Sequence, residues 1–297
     1  MNKKNPLVSI ITPSYNKGTY IEETILSVKN QTYSNIEHIV IDGSSTDDTL
    51  AILKKYSDNL VWFSERDTGQ SAAINKGWRL AKGDFIAYLN ADDTYLPNSV
   101  EIAVNYFLDH PETGMIYGDG ILSDENGKFL SNFTVGEFNL KNLIFCKNNI
   151  LQPAVFLRKS VFETVGDIDV NLHLAMDLDY WIRTGIRFTV IYIPQPLAVA
   201  KIYRDAKSSA QMHKYVGEYE QILKKLFSTP HLNNEISLIQ KDAYVFVYVK
   251  GGLDYLHVKM FHEGIRYLWK AFRLSPGNCI KNVMVLITYH LRKRSAR

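Results

Sequence analysis

The chain has 297 residues, 46% of them apolar and 22% charged, with a net charge of +3 and two cysteines. That is the balance of an ordinary soluble globule with ample core, and it excludes a disordered, collagen-like or disulfide-built chain. Cys146 and Cys279 lie far apart, give no ligand spacing and fit a reducing compartment.

The N-terminal stretch MNKKNPLVSIITPSYN is basic, then apolar, but Thr12 and Pro13 interrupt the apolar run, which makes a poor signal peptide. Leu7 to Thr12 reads as a strand, and Ile21, Ile25 and Val28 follow at helical spacing. Ile36 to Ile41 is the second strand, closed by Asp42-Gly43. Thr46 is the expected cap of a helix carrying Leu50, Leu53 and Tyr56, with Asp47 and Asp48 in its first turn. Leu60 to Phe63 is the third strand, and Ala73, Ile74, Gly77, Trp78 and Ala81 mark the next helix. Asp84 to Leu89 is the fourth strand. Pro97 suits the first turn of a helix bearing Val100, Ala103, Val104 and Phe107, and Met115 to Tyr117 is a fifth short strand.

Strand and helix alternating at this spacing predict right-handed crossovers and a mostly parallel sheet covered by helices. Beyond residue 120 the pattern weakens. SDENGK (Ser123 to Lys128) reads as a tight turn, Gln152 to Leu157 as a strand, and Lys159 to Thr164 as a short helix. Asp177 to Arg187 reads as a helix, and Phe188 to Ile193 as a strand stopped by Pro194. From Tyr215 onward the chain reads helical, with breaks at Pro230 and Pro276-Gly277. No run approaches the roughly 18 apolar residues of a membrane span.

Charge is unevenly placed. Of the 34 Lys and Arg, eight fall after Glu263, where there is no Asp or Glu, so the first 263 residues hold 26 basic against 31 acidic residues. A basic tail can serve nucleic acid or an anionic membrane surface, or can be a solvated helix face and frayed end.

In open α/β sheets ligands bind beyond the carboxyl ends of the strands. The first four strands run into Pro13-Ser14-Tyr15-Asn16, Asp42-Gly43-Ser44-Ser45, Glu65-Arg66-Asp67 and Asn90-Ala91-Asp92-Asp93. Turn chemistry explains one or two such clusters, whereas four at one edge favour a site. Asn90, Asp92 and Asp93 offer the hard oxygen ligands that suit Mg2+ or Mn2+ beside phosphate, or they cap a helix. Asp42 can accept from a base N–H, with Gly43 allowing close backbone approach, or the pair simply turns the chain. Tyr15 can stack on a base and Arg66 can pair with a phosphate. There is no P-loop, no GxSxG and no HExxH, GDG at Gly118 to Gly120 lacks the third glycine of a dinucleotide loop, and the eight histidines are scattered.

The ordered set LVSIITPSYNKGTYIEETILSVKNQTYSNIEHIVIDGSSTDDT and SERDTGQSAAINKGWRLAKGDFIAYLNADD resembles an inverting family 2 glycosyltransferase of the bacterial surface-polysaccharide type. A looser likeness runs through QPAVFLRKSVFETVGDID and AMDLDYWIR to about residue 205. The resemblance implies a GT-A fold, α/β with a mostly parallel central sheet flanked by helices, and a C-terminal helical extension. It implies that Pro13 and Tyr15 border the nucleotide base, that Asp42 reads its edge beside Gly43, and that Arg66 and Gln70 line the diphosphate and sugar. Asn90 and Asp92 take the places of the family's D-x-D pair, with an amide at the first position, and Asp92 and Asp93 are the implied ligands of Mn2+ or Mg2+.

A general base is implied in Met176-Asp177-Leu178-Asp179, where Met176 replaces the usual Glu. Two residues apart on a helix, Asp177 and Asp179 point to nearly opposite sides, and Asp177 matches the family position better. Gln152, Tyr203 and Arg204 are further candidates for acceptor or diphosphate contacts.

The expected organisation is a glycosyltransferase domain over 1–214, with a nucleotide-sugar half at 1–120 and an acceptor half at 121–214, then a helical region at 215–297. The expected activity moves a hexosyl or N-acetylhexosaminyl group from a nucleotide-diphospho-sugar, UDP being the carrier named, to a hydroxyl of a glycan or polyprenyl-linked acceptor. The expected place is cytoplasmic, with peripheral contact at the inner, anionic face of the cytoplasmic membrane and no nucleic-acid partner. The rival readings are a non-catalytic nucleotide-binding scaffold and a sugar-1-phosphate nucleotidyltransferase, which usually carries a Gly- and Arg-rich loop where this chain has TPSYNKG.

Overall fold

The structure is a computed structural model that describes residues 5–146, 150–203, 212–230 and 232–295. The chain divides into two compact units, one of Met1–Leu143 and Asn148–Tyr203, the other of Ile144–Lys147 and Arg204–Arg297.

In the first unit the chain runs β1 (Val8–Ser14), α1 (Ile21–Lys29), β2 (Ile36–Asp42), α2 (Thr49–Lys55), β3 (Val61–Ser64), α3 (Gln70–Leu80), β4 (Phe85–Tyr88), β5 (Thr94–Tyr95) and α4 (Ser99–Asp109). It continues through β6 (Thr113–Ser123), β7 (Phe129–Phe133), α5 (Leu140–Ile144), β8 (Val155–Arg158), α6 (Lys159–Val165), α7 (Met176–Arg187) and β9 (Thr189–Lys201). One nine-stranded sheet has the order β3-β2-β1-β4-β8-β6-β9-β5, with β7 pairing β6. The pairings among β1 to β4 are all parallel. β8 enters antiparallel between β4 and β6, and β6 returns to parallel pairing with β9.

The parallel strands are apolar on both faces because helices cover both. β1 and β4 are buried along their whole length. Val8, Ile10, Phe85, Ala87 and Leu89 share one core cluster with Val100, Val104 and Phe107 of α4. Ile21, Ile25, Val40, Leu53 and Leu60 share another.

Several local expectations differ from the structure: Pro97 precedes the Asn98 cap of α4 instead of opening the helix, and Gln152–Ala154 forms a 3-10 turn ahead of β8. The α2 helix begins at Thr49, not at Thr46, because Asp47 accepts from the Thr49 backbone N–H at 3.0 Å and its hydroxyl at 2.5 Å. β6 runs for eleven residues rather than three. β9 does not stop at Pro194 but continues to Lys201. The register explains how: Ile193 faces Gly118 while the next pair is Pro196 with Asp119. The two intervening residues bulge out, so Pro194 leaves no ladder position without a donor.

In the second unit α8 (Tyr215–Phe227), α9 (Asn234–Ser237), α10 (Gln240–His257), α11 (Phe261–Leu274) and α12 (Pro276–Ser295) follow one another. α10 packs on α8, α11 and α12. Glycines let it approach closely: a methyl group on Gly251 would overlap Val216, and one on Gly252 would overlap Leu268 and crowd the Gly264 carbonyl.

Candidate active site

Register brings the first three strand ends level, since Ser14 pairs with Asp42 and Asp42 with Ser64. Tyr88, paired with Ile11, closes β4 on the same edge. The loops that follow carry Tyr15, Gly43, Arg66 and Asn90-Ala91-Asp92-Asp93, so all four polar clusters do meet at one edge. Asn16 and Ser44, in two of these loops, hold positive φ angles of 50° and 64°. For residues other than glycine that conformation costs of order 1 kcal/mol, and it gathers at functional sites.

Asp42 is fully buried at the end of β2. Its carboxylate accepts from the Ser45 backbone N–H at 2.9 Å, the Ser45 hydroxyl at 2.5 Å and the Ser64 hydroxyl at 2.7 Å. Its first structural task is therefore to hold the two loops on either side. Pro13 is buried within β1, whereas Tyr15, two residues on, is 61% exposed. Gly43 sits between Tyr15 and Asp67: a methyl group there would stand 3.4 Å from the tyrosine ring and 3.3 Å from the carboxylate. Tyr15, Gly43 and Asp67 thus share one corner of the edge, with Arg66 exposed beside them.

The other corner is a network of amides. Gln70, the first residue of α3, donates to Asn90 Oδ1 at 2.7 Å. The Asn90 amide donates at 3.0 Å to Asp93 Oδ2 and at 3.0 Å to Gln152 Oε1. Gln152 in turn donates to the Tyr88 carbonyl at 2.7 Å. An Asp at position 90 could not donate in this way, so the amide belongs to the network.

The two neighbouring carboxylates have different surroundings. Asp93 is buried, and its second oxygen accepts from the Lys201 backbone N–H at 3.1 Å. Burial, then the adjacent Asp92, pushes its carboxyl up to about 7. Asp92 faces Lys17, whose ammonium lies 2.7 Å from Asp92 Oδ2. The Tyr203 hydroxyl donates to the same oxygen, while Lys17 Nζ lies 2.6 Å from that hydroxyl. Burial works against the Lys17 charge, but Asp92 and Tyr203 more than offset it and hold the ammonium above its usual value. Burial, then Asp92, pushes the Tyr203 phenol up to about 12. Tyr20 stacks on Tyr203 with ring centres 5.5 Å apart.

A divalent cation here would find one carboxylate with room for it. Both oxygens of Asp93 and both ends of the Asn90 amide are already bonded. Among the described residues no group of three or more His, Cys, Asp or Glu could hold a metal unaided. Mg2+ is usually held by one or two carboxylates plus substrate phosphates. Asp92, with one oxygen outside the Lys17 and Tyr203 bonds, fits that shared mode.

At the start of α7, Asp177 is half-buried and accepts from the Leu178 N–H at 2.8 Å. Asp179 is buried and tied to Arg183 Nε at 2.8 Å. Met176, in the place of the usual Glu, lies against Ser71 of α3, whose hydroxyl approaches its sulfur at 2.9 Å. Asn75 of α3 exchanges bonds of 2.8 and 2.9 Å with the backbone of Ile168. These contacts fasten the segment before α7 to α3, the helix that begins with Gln70. Tyr88 feels both Asp177 and Asp93: burial first, then these two carboxylates, push its phenol well above the usual range. Its hydroxyl is buried and finds no hydrogen-bond partner among the described residues.

Lys17 is a part of this edge that reading the sequence missed, and Asp67, read only as a member of the third polar cluster, borders Gly43. Gln152 and Tyr203, named only as further candidates, are bonded into it. Arg204 lies outside the described residues.

Residues 9–166, more than half of the chain, match the family described as "Glycosyl transferase family 2". An uncharacterized glycosyltransferase of Rickettsia bellii is 31% identical over 256 residues, covering 82% of this chain and 36% of its own length. This chain therefore spans little more than a third of that relative. A "PGL/p-HBAD biosynthesis glycosyltransferase" of Mycobacterium bovis is 31% identical over 183 residues, covering 60% of this chain and 69% of its own. Among solved structures, S. aureus TarS 1-349 in complex with UDP-GlcNAc superposes with a TM-score of 0.73 at 18% identity, covering 94% of this chain and 84% of that one. At that identity the likeness speaks for the fold, which is GT-A.

Proposed function

The chain belongs to glycosyl transferase family 2, and from that premise we propose that it is a glycosyltransferase that moves a hexosyl or N-acetylhexosaminyl group, with inversion, from a UDP-sugar to a hydroxyl of a glycan or polyprenyl-linked acceptor. The acceptor belongs to cell-surface polysaccharide, assembled at the inner face of the cytoplasmic membrane. UDP is supported by the UDP-GlcNAc complex of TarS, which shares the fold. The observation that carries the reading is the fastening of Asp177 to the donor edge through Met176 and Ser71 of α3.

In this reading Tyr15 and Pro13 border the base, Gly43 leaves room for it, and Asp42 shares one of its acceptor positions with a base N–H. Arg66 and Gln70 face the diphosphate and sugar, with Asn90 fixing the Gln70 amide. Mn2+ or Mg2+ held at Asp92, with Asp93 behind it, would neutralise charge growing on the leaving diphosphate. Asp177 takes the proton of the acceptor hydroxyl as that oxygen bonds to the anomeric carbon. The bond from that carbon to the phosphate oxygen breaks with its electron pair, and the nucleoside diphosphate leaves. One displacement inverts the carbon.

The test is release of nucleoside diphosphate, with and without Mn2+, from a panel of nucleotide sugars and acceptor lipids. Asp177→Asn is expected to keep UDP affinity and lose transfer by at least about 100-fold. Transfer that survives in Asp177→Asn, or pyrophosphate as the product, would overturn the reading. Asp179→Asn is the control, read together with its melting temperature because it breaks the Arg183 pair.

A further inference from the structure

Helix α11 carries two apolar faces, and packing explains only one. Gly264, Tyr267 and Ala271 are buried, and Gly264 and Leu268 lie against Gly252 of α10. The other face consists of Phe261, Ile265, Trp269 and Phe272, exposed by 62, 63, 58 and 40%. At about 100° per residue these four fall within roughly 80° of arc, a true stripe. The Trp269 and Phe272 rings stack on each other, centres 5.8 Å apart. Helix α12 repeats the arrangement with Ile280, Met284 and Ile287, exposed by 55, 66 and 45%. Seven large apolar side chains on consecutive helices stand in solvent, and such a surface marks an interaction site.

Charge selects the partner. Past Glu263 the sequence has eight Lys and Arg and no acid. Exposed Arg266 and Arg273 border the α11 stripe, and exposed Lys281 follows Ile280. A second copy of the same surface would bring like charges together and is disfavoured. An anionic bilayer supplies both what the stripe lacks and what the cations seek. No described helix is long and apolar enough to cross a membrane, so these helices would lie in the interface, where tryptophan is favoured.

We propose that α11 and α12 form a seat for an anionic phospholipid surface, with Phe261, Ile265, Trp269 and Phe272 in the headgroup–acyl boundary and Arg266 and Arg273 on the phosphates. The residues of this surface belong to the second unit and those assigned to the chemistry belong to the first, so its failure leaves the transfer reading untouched.

The experiment sediments the full chain with vesicles of phosphatidylcholine alone or mixed equally with phosphatidylglycerol, at low and high salt. Expected are binding at least about 10-fold tighter to the anionic vesicles, loss of that preference in high salt, and a blue shift of tryptophan emission on binding. The double variant Ile265→Ser/Trp269→Ser is expected to lose binding while UDP affinity is unchanged. Arg266→Glu/Arg273→Glu, altering only exposed charges, is expected to weaken anionic binding by at least about 10-fold. Equal binding to both vesicles, no binding, or wild-type binding by the charge variant would overturn the proposal. So would a dimer in light scattering that the Ile265/Trp269 variant abolishes, since that would assign the stripe to a second copy.

Discussion

Lys17 is the cation paired with Asp92 in the candidate site, and its worth depends on how far water is excluded from it. The side chains of Lys17 and Asp92 are 28% and 17% exposed, between a surface pair worth a few tenths of a kcal/mol and a buried one whose breaking costs several. Lys17→Met leaves Asp92 beside Asp93 without its counter-charge. The expected loss is about 1–3 kcal/mol in urea unfolding, with UDP affinity down about 10-fold in calorimetric titration. Lys17→Arg should retain most of both, and an unchanged Lys17→Met protein would reduce the pair to a surface contact. His38 gives the site's sheet a pH dependence of known sign. It is buried on β2 beside the Thr12 hydroxyl, 2.9 Å away, and burial lowers its ring from 6.5 to about 4. Between those values the unfolded chain binds a proton that the folded one refuses, so stability is level above pH 6.5 and falls as pH drops through the window. His38→Gln should lose about 2–3 kcal/mol less than wild type between pH 7 and 4.5, and equal slopes would assign the loss elsewhere. Of the site residues, the sequence shows those whose loops follow strands, because the period of the strands locates the edge. It hides Lys17's bond to Tyr203, 186 residues apart, because no local pattern encodes a contact that only the folded sheet creates.

Helix α3 links the donor edge to the base candidate, so its seating on the sheet sets the geometry of both. Gly77 is where it rests: a methyl group there would stand 2.4 Å from Cγ2 of the fully buried Ile11 on β1. Two effects of Gly77→Ala compete. Alanine gains up to about 1 kcal/mol of helix propensity, while overpacking a tight core costs about 1–3 kcal/mol. The clash involves both branches of the Ile11 side chain at its Cβ, in a fully buried residue with little room to turn, so overpacking should win. The expected result is a net loss of about 1–2 kcal/mol in urea unfolding with weaker UDP binding, because Gln70 moves with the helix. Gly217 of α8 has open space where its methyl would go, and Gly217→Ala should gain up to about 1 kcal/mol. If both variants gain, α3 is not held by this contact. The elements were legible where hydrophobic period and punctuation agreed, as in β1 to β4. They were misread at two places: a bulge against β6 let β9 pass Pro194, and the Asp47 carboxylate, bonded to Thr49 two residues on, moved the start of α2. The bulge depends on a neighbouring strand that a single-sequence reading does not hold, whereas the Asp47 contact is local and was in the sequence to be read.

At the scale of the whole molecule the basic tail and the candidate chemistry fall in different units. Every candidate donor, metal and base residue that the structure describes belongs to the first unit, while the acid-free basic tail belongs to the second. Each unit has its own core, the first around Ile10, Phe85, Val104 and Phe156, the second around Val216, Tyr219, Val245 and Val249. A ligand that binds only the native form of one unit stabilises that unit by mass action, about 2.7 kcal/mol at a hundred times its Kd. For a unit approaching 200 residues each kcal/mol is worth about 2–4 °C. UDP with Mn2+ at that concentration should therefore raise the unfolding transition of the first unit by about 5–10 °C. Differential scanning calorimetry reads this, with pulse proteolysis assigning which unit has opened. Phosphatidylglycerol vesicles make the complementary perturbation, since the proposed seat is made wholly of α11 and α12. A nucleotide shift confined to the second unit would move the donor site off the sheet edge. No shift at all, in a protein that still turns over UDP-sugar, would break the link between Asp42, Asp92 and donor binding.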